Sequence, residues 1–246
     1  MNRLLLSSLL LLTTAITFAQ IPGYRIEGRI RGLRDTTITL AHYFGQNQYI
    51  PKDTARIDSN GRFVFEGKKT LPQGVYIALL PLKKQRFVEL LLGTSAFSLE
   101  TDTINPVANM RIIGSPDNEA FYAYQKQLLT LADERNALDI QAQFRTDEVA
   151  RLGIRRQLAE LQRRATQLQK TTATANDSLL VRSFLRASLD PDAPAAPRLK
   201  NGKIDSTFQF RYYKNHYWDS FDFADDRLVR SPIFQRKIDR YLQELT

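Results

Sequence analysis

Two hydrophobic periods divide this chain, and they meet at Gly114. From Tyr24 to about Gly114 apolar and polar residues alternate in short runs, whereas beyond it apolar residues recur every three or four positions. A period of two buries one face of a strand, and a period near 3.6 buries one stripe of a helix. The pattern predicts an α+β protein: an N-terminal antiparallel β-sandwich followed by a separate α-helical segment.

In the first part, Tyr24-Arg-Ile-Glu-Gly-Arg-Ile sets Tyr24 and Ile26 on one face, and Thr36 to Tyr43 adds a run rich in β-branched residues. Ala55 to Gly67 holds two alternating runs around Asp58-Ser59-Asn60-Gly61, where Asn and Gly tolerate the positive φ of a tight hairpin. Phe63 and Phe65 then share a face that should enter the core. A Pro/Gly turn at Leu71-Pro72-Gln73-Gly74 feeds a strand from Val75, and Phe87 to Leu92, Ala96 to Glu100 and Met110 to Ile113 complete a set of seven to eight. Regular turns between such strands indicate a sandwich or barrel. Asp58 to Gly61 resembles the start of a calcium loop, but no acidic ligands follow at loop spacing.

In the second part, Ser115 is expected as an N-cap, with Pro116 in the first turn and Asp117 and Glu119 complementing the helix dipole. Phe121, Tyr124, Leu128, Leu131 and Leu138 form one stripe, and Ile154, Leu158, Leu161, Ala165 and Leu168 form another. Gly153 leaves open a helical hairpin or one long amphipathic helix. Asn176-Asp177-Ser178 is expected to cap a further helix through Leu189. Pro191 to Gly202 is a connector that cannot be helical. Phe208 to Phe223 is the densest aromatic stretch, and Ser231-Pro232 opens a last helix striped by Phe234, Ile238, Tyr241 and Leu245. That stripe needs a partner: the aromatic stretch, a second copy, or one absent from the chain. The expected division is residues 1–19, 20–115 (sandwich), 116–189 (amphipathic helices) and 190–246 (the start of an incomplete aromatic-rich helical domain). The sandwich is expected to unfold cooperatively by itself, and residues 190–246 to exchange amide hydrogens faster.

The first 19 residues read as a cleavable signal peptide. Arg3 precedes an apolar run from Leu4 to Ala15, and Thr17-Phe18-Ala19 supplies small residues for cleavage between Ala19 and Gln20. The run is shorter than the roughly 20 residues of a membrane span, and no later run approaches that length. The expected location is a Gram-negative periplasm. The chain of 246 residues contains no cysteine. Lipid attachment to cysteine, disulfides, thiol chemistry and thiolate metal sites are thereby closed to it. With His42 and His216 its only histidines, a histidine-rich zinc site is not expected, nor is any cofactor.

The net charge of +9 suggests nucleic acid only until it is divided. Residues 20–115 hold 13 Lys/Arg against 8 Asp/Glu, residues 116–190 hold 11 against 10, and residues 191–246 hold 10 against 8. So diffuse an excess argues against a nucleic-acid face. One basic ridge, Arg151, Arg155, Arg156, Arg163, Arg164 and Lys170, reads as a solvated helix face or as a contact for an anionic envelope surface.

No catalytic constellation emerges. Tyr212, Tyr213, His216, Tyr217 and Trp218 form either a stacking platform for a sugar or peptide, or helix-packing residues. His42 to Tyr49 reads as an aromatic loop in which Tyr43 could touch a ligand. Asp219, Asp222, Asp225 and Asp226 suggest a cation cluster or, equally, loop solvation and capping.

Asp53 to Gly67, the following Pro72-Gln-Gly-Val-Tyr and the closing Gly114-Ser-Pro-Asp-Asn-Glu together resemble a β-sandwich domain of unknown function found at the N-terminus of envelope thioredoxins of the TlpA type. Tyr212-Tyr-Lys-Asn-His-Tyr-Trp-Asp and Asp226-Arg-Leu-Val-Arg-Ser-Pro-Ile-Phe resemble the helical domain that follows it in those proteins. Such proteins usually continue into a thioredoxin fold with a Cys-x-x-Cys centre, which this chain does not contain, so no catalytic residue carries over. The resemblance implies a non-catalytic accessory segment of an envelope thiol-disulfide oxidoreductase, partnered by a thioredoxin-type domain or another envelope protein. The alternative is a stand-alone ligand-binding or adhesion module.

Overall fold

The computed structural model describes residues 23–45, 48–81, 85–145, 147–175 and 178–246, so the expected signal peptide and its Ala19–Gln20 junction lie outside the described residues. Strands β1 (Tyr24–Arg31), β2 (Thr36–Phe44), β3 (Gln48–Ile57), β4 (Arg62–Gly67), β5 (Gly74–Leu80), β6 (Gln85–Leu92), β7 (Ala96–Asp102) and β8 (Arg111–Ile113) come first. Helices α1 (Pro116–Phe144), α2 (Glu148–Ala173), α3 (Leu180–Ala187), α4 (Phe208–His216) and α5 (Pro232–Glu244) follow, with a 3-10 helix at Asp226–Arg230. The protein is α+β, with two four-stranded sheets ordered β4-β1-β7-β8 and β3-β2-β5-β6. All neighbours are antiparallel except β1 and β7, which run parallel because the chain makes β5 and β6 in the second sheet before returning beside β1.

Between the sheets lies a core that includes Tyr24, Ile26, Ile30, Phe63, Phe65, Tyr76, Leu90 and Leu99. It contains the alternating residues that the sequence marks. Gly28 pairs with Phe63 across β1 and β4, and a Cβ on Gly28 would overlap the Phe63 ring. The glycine thus makes room for an aromatic residue that packs far more surface than a small side chain would.

Asp58 to Gly61 does not close a hairpin. It carries the chain from β3 in one sheet to β4 in the other, so the turn is a corner of the sandwich. Asp58 accepts hydrogen bonds from the backbone of Asn60 and Arg62, and Gly61, with φ of 80°, supplies the left-handed residue, while Asn60 is not in that region. Asp53 ties the same side of the sandwich, accepting from Tyr24 Oη at 2.8 Å and Glu66 N at 3.1 Å.

The helical segment is not held at a distance from the sandwich. A second core joins Ala41, Tyr43, Val75, Ile77, Leu79 and Leu91, on the outer face of the second sheet, to Leu180, Val181, Phe184, Ala187, Phe221 and Leu228. The molecule is layered sheet, sheet, helices, and β5 is buried on both faces along nearly its whole length. The outer face of the first sheet stays in solvent.

α1 and α2 form a hairpin in which Asp147 caps α2, and Gly153 sits inside α2 with open space around it. The residues of the two predicted stripes are all buried or half-buried, beside others such as Tyr122 that the stripes omit. α3 starts at Leu180 with Leu179 as its N-cap and no local side-chain cap; of the expected capping run, Asn176 and Asp177 lie outside the described residues. α5 docks back on the aromatic stretch through Tyr241 and Phe234, so its stripe is partnered within the chain. No helix among the described residues is long and apolar enough to cross a membrane.

Candidate functional site

Three of the stretches quoted for the family resemblance, Pro72 to Tyr76, Gly114 to Glu119 and Asp226 to Phe234, meet where the helices join the second sheet. Ser115 caps α1, accepting from Asn118 N. Asn118 is fully buried; its side chain accepts from Leu91 N at 2.8 Å and donates to Leu91 O at 2.7 Å and to Ser115 Oγ at 2.8 Å. The asparagine therefore satisfies the open edge of β6 as another strand would, and Tyr122 adds a hydrogen bond to Glu89 O at 2.7 Å. Asp117, beside it, accepts from Leu180 N and so caps α3 from a distant part of the chain. Gly93 leaves the space in which that carboxylate sits.

A second clasp lies nearby. Gln73 O accepts from Arg230 Nε at 2.6 Å, and a Cβ on Gly74 would collide with Arg230. Leu228 enters the core between sheet and helices, and Ser231 donates to Leu228 O at 2.6 Å. The Pro72-Gln-Gly-Val-Tyr and Asp226 to Phe234 stretches, about 150 residues apart in sequence, are thus two halves of one contact.

The sequence candidates fall in three places. Tyr43 is not on a loop: it lies in β2, only 1% exposed, and donates to Glu89. Tyr43 shares with Ala41 the outer face of β2 that the helices cover, which removes it from any open ligand surface. Gln46 and Asn47 of the expected loop lie outside the described residues. Tyr213 and Trp218 belong to one aromatic cluster with Tyr217 and Tyr241, their ring centroids 4.9 to 5.6 Å apart in successive contacts. His216 faces elsewhere, against the Tyr212 ring at 4.1 Å and Asp219 Oδ2 at 2.6 Å.

Sequence reasoning missed Lys237. It lies on α5 between Phe234 and Tyr241 and is only 5% exposed. Its Nζ lies 4.6 Å from the Tyr217 ring centre and donates to Leu189 O at 3.2 Å. Burial pulls its pKa below the ordinary lysine value, against the attraction of Asp190. Asp190 itself accepts from Tyr213 Oη at 2.7 Å and from Arg240. Burial and this bond both hold the Tyr213 proton on more tightly than usual. Beside Tyr213 and Arg240 a groove of about 560 Å³ opens, with Phe210, 53% exposed, on its wall.

Asp222, Asp225 and Asp226 line one cavity of about 320 Å³, but each of the four aspartates is engaged by its own partner. Asp219 pairs with His216, Asp222 bonds Ala224 N, Asp225 grips Arg227, and Asp226 pairs with Arg230. Among the described residues no group of His, Asp and Glu is placed to hold a metal ion. Most of the basic ridge is engaged as well. Arg155 pairs with Glu148, Arg163 with Glu160, Arg164 with Glu134 and Lys170 with Asp192, while Arg151 caps the end of α1 at Arg145 O.

Two family models match the chain. Residues 24–121 match one described as a domain of unknown function (DUF4369), and residues 162–246 match another so described (DUF5106). The first match runs from β1 through the Ser115–Asn118 clasp, and the second takes in α3, the 3-10 helix and α5. No curated protein matches the chain.

Proposed function

We propose that this chain is a non-catalytic, exported scaffold, an accessory segment of an envelope thiol-disulfide oxidoreductase that positions substrate for a thioredoxin-type partner in the periplasm. One observation carries the reading: several residues of the family resemblance serve to join rather than to react. Asn118, Asp117, Gly74 and Arg230 are all engaged in fixing the helices on the second sheet. The order of the two matched regions supports it, as does the absence of cysteine, since disulfide exchange needs a thiolate.

The test adds the chain to a Cys-x-x-Cys thioredoxin of the same envelope reducing a protein disulfide. A scaffold lowers KM and leaves kcat unchanged, and the chain alone reduces nothing. Unaltered KM with no detectable complex would overturn the reading. The groove beside Phe210, Tyr213 and Arg240 favours a second reading, a ligand-binding module. A glycan and peptide screen in which Phe210→Ala abolishes a hit supports that reading; a screen with no hit removes it.

A further inference from the structure

The strand register of the uncovered sheet sets four charged residues in one line. Arg62 pairs with Arg29, Arg29 with Glu100, and Glu100 with Arg111, so the line crosses all four strands on the solvent face. Neighbouring strands lie about 4.8 Å apart, which puts two guanidinium-bearing residues side by side and a third about two strands further on. Glu100 is shared by Arg29 at 3.7 Å and Arg31 at 3.8 Å. Among the described residues neither Arg62 nor Arg111 has a salt-bridge partner. Like charges directly opposite each other on a sheet oppose folding, so stability alone gives no reason for Arg29 beside Arg62. The adjacent line is Val64, Glu27, Ser98 and Ile113, which places an exposed apolar residue on each edge strand. The two lines together wall a shallow groove of about 570 Å³.

We propose that this face docks an acidic segment of a protein partner, with spaced carboxylates on Arg62, Arg29 and Arg111 and apolar side chains on Val64 and Ile113. The cations of the face are all arginines, whose planar forks bind carboxylates bidentately and which interfaces favour over lysine. The intervening Glu27 and Glu100 select against a continuous polyanion such as polyphosphate, whose charges would fall on them, and suit a chain whose carboxylates are spaced. The proposal does not rest on the thiol-disulfide reading and would stand if that reading failed.

The probe is a short peptide in which glutamates alternate with serine and valine, titrated into the protein from residue 20 onward, which carries every described residue, with amide shifts followed by NMR. Docking moves the amides of β1, β4, β7 and β8, and affinity falls at least about fivefold between low and physiological salt, as screening demands. The triple variant Arg29→Gln, Arg62→Gln, Arg111→Gln weakens binding tenfold or more, while Arg163→Gln on the helical hairpin changes nothing. These side chains are exposed, so Tm is retained; if the triple variant loses Tm, Arg62→Gln alone carries the same comparison. Shifts that are absent, that centre on α1 and α2, or that survive the triple variant overturn the proposal. Tighter binding of inorganic polyphosphate at this face would also overturn it, making the face an anion site rather than a protein dock.

Discussion

Leu91 lies on an edge strand, yet its N–H and C=O both bond one side chain, Asn118. Replacing that side chain leaves two buried backbone groups to be hydrated or stranded, each costing about 1–3 kcal/mol. Asn118→Ala is expected to lower stability by about 2–4 kcal/mol, read as a lower urea midpoint at unchanged slope. Asn118→Asp keeps the acceptor for Leu91 N–H but turns a carboxylate towards Leu91 O, and should be no better. Lys237 gives a prediction in pH. Its proton is held less tightly in the fold, where burial and Arg236 and Arg240 outweigh Asp190, than in the unfolded chain. Between the two values the unfolded chain binds more protons, so stability rises with pH and the gain is complete near the ordinary lysine value. Tyr76, pushed up to about 12, and other buried tyrosines act oppositely above about pH 10, because the fold keeps their protons longer. Both effects are present in wild type, but only the tyrosine effect remains in Lys237→Met. The wild-type stability relative to that variant should therefore grow as pH rises towards the ordinary lysine value, and a flat difference in thermal unfolding would refute it.

Among the elements, α3 is the most dependent on its neighbours, since it is eight residues long and lacks a side-chain cap of its own. Helices so short are unstable alone. Asp117→Ala removes the acceptor at Leu180 N–H, and loss of an N-cap costs about 1 kcal/mol. Hydrogen exchange should quicken in Leu180–Ala187 while β1 and β7 keep their protection; equal loss everywhere would mean that Asp117 supports the whole fold rather than this helix. Strand alternation, the helical stripes and the Ser115-Pro116 start are legible in the sequence because each rests on neighbours a few positions away. The remote cap on α3 is not, because Asp117 and Leu180 share no local pattern. The Asp58–Gly61 corner looks like a hairpin because turn chemistry sets the local bend and says nothing of which sheet the next strand joins. Val75 to Leu80 carries the sequence signal of the helical layer: an unbroken apolar run marks a strand buried on both faces. Of the candidate ligand residues, Tyr43 resembles a loop residue only through the polar run that follows it, and Lys237, three residues after Phe234 and four before Tyr241, falls on the apolar stripe by spacing, a mark its charge hides.

At the scale of the molecule, most of the basic ridge is ion-paired, the uncovered sheet carries Arg62 and Arg111 without salt-bridge partners among the described residues, and the helical layer is part of the core. That layer decides how the protein unfolds. Without it, Ala41, Tyr43, Val75, Ile77, Leu79 and Leu91 would face water as one apolar patch, and patches of that kind drive association. A fragment of residues 20–115 is thus expected to be less stable than the same strands in the intact chain and to bind a hydrophobic dye, despite the completeness of its strand pattern. The chain has a single tryptophan, Trp218, and it lies in the aromatic cluster between α4 and α5. Its fluorescence reports the helical layer, whereas the β signal in far-UV circular dichroism is dominated by the two sheets. If the layers share one cooperative core, both probes trace the same urea midpoint, because coincident transitions are the mark of two-state behaviour. A tryptophan transition that precedes loss of the β signal would show instead that the helices leave first and that the sandwich holds by itself.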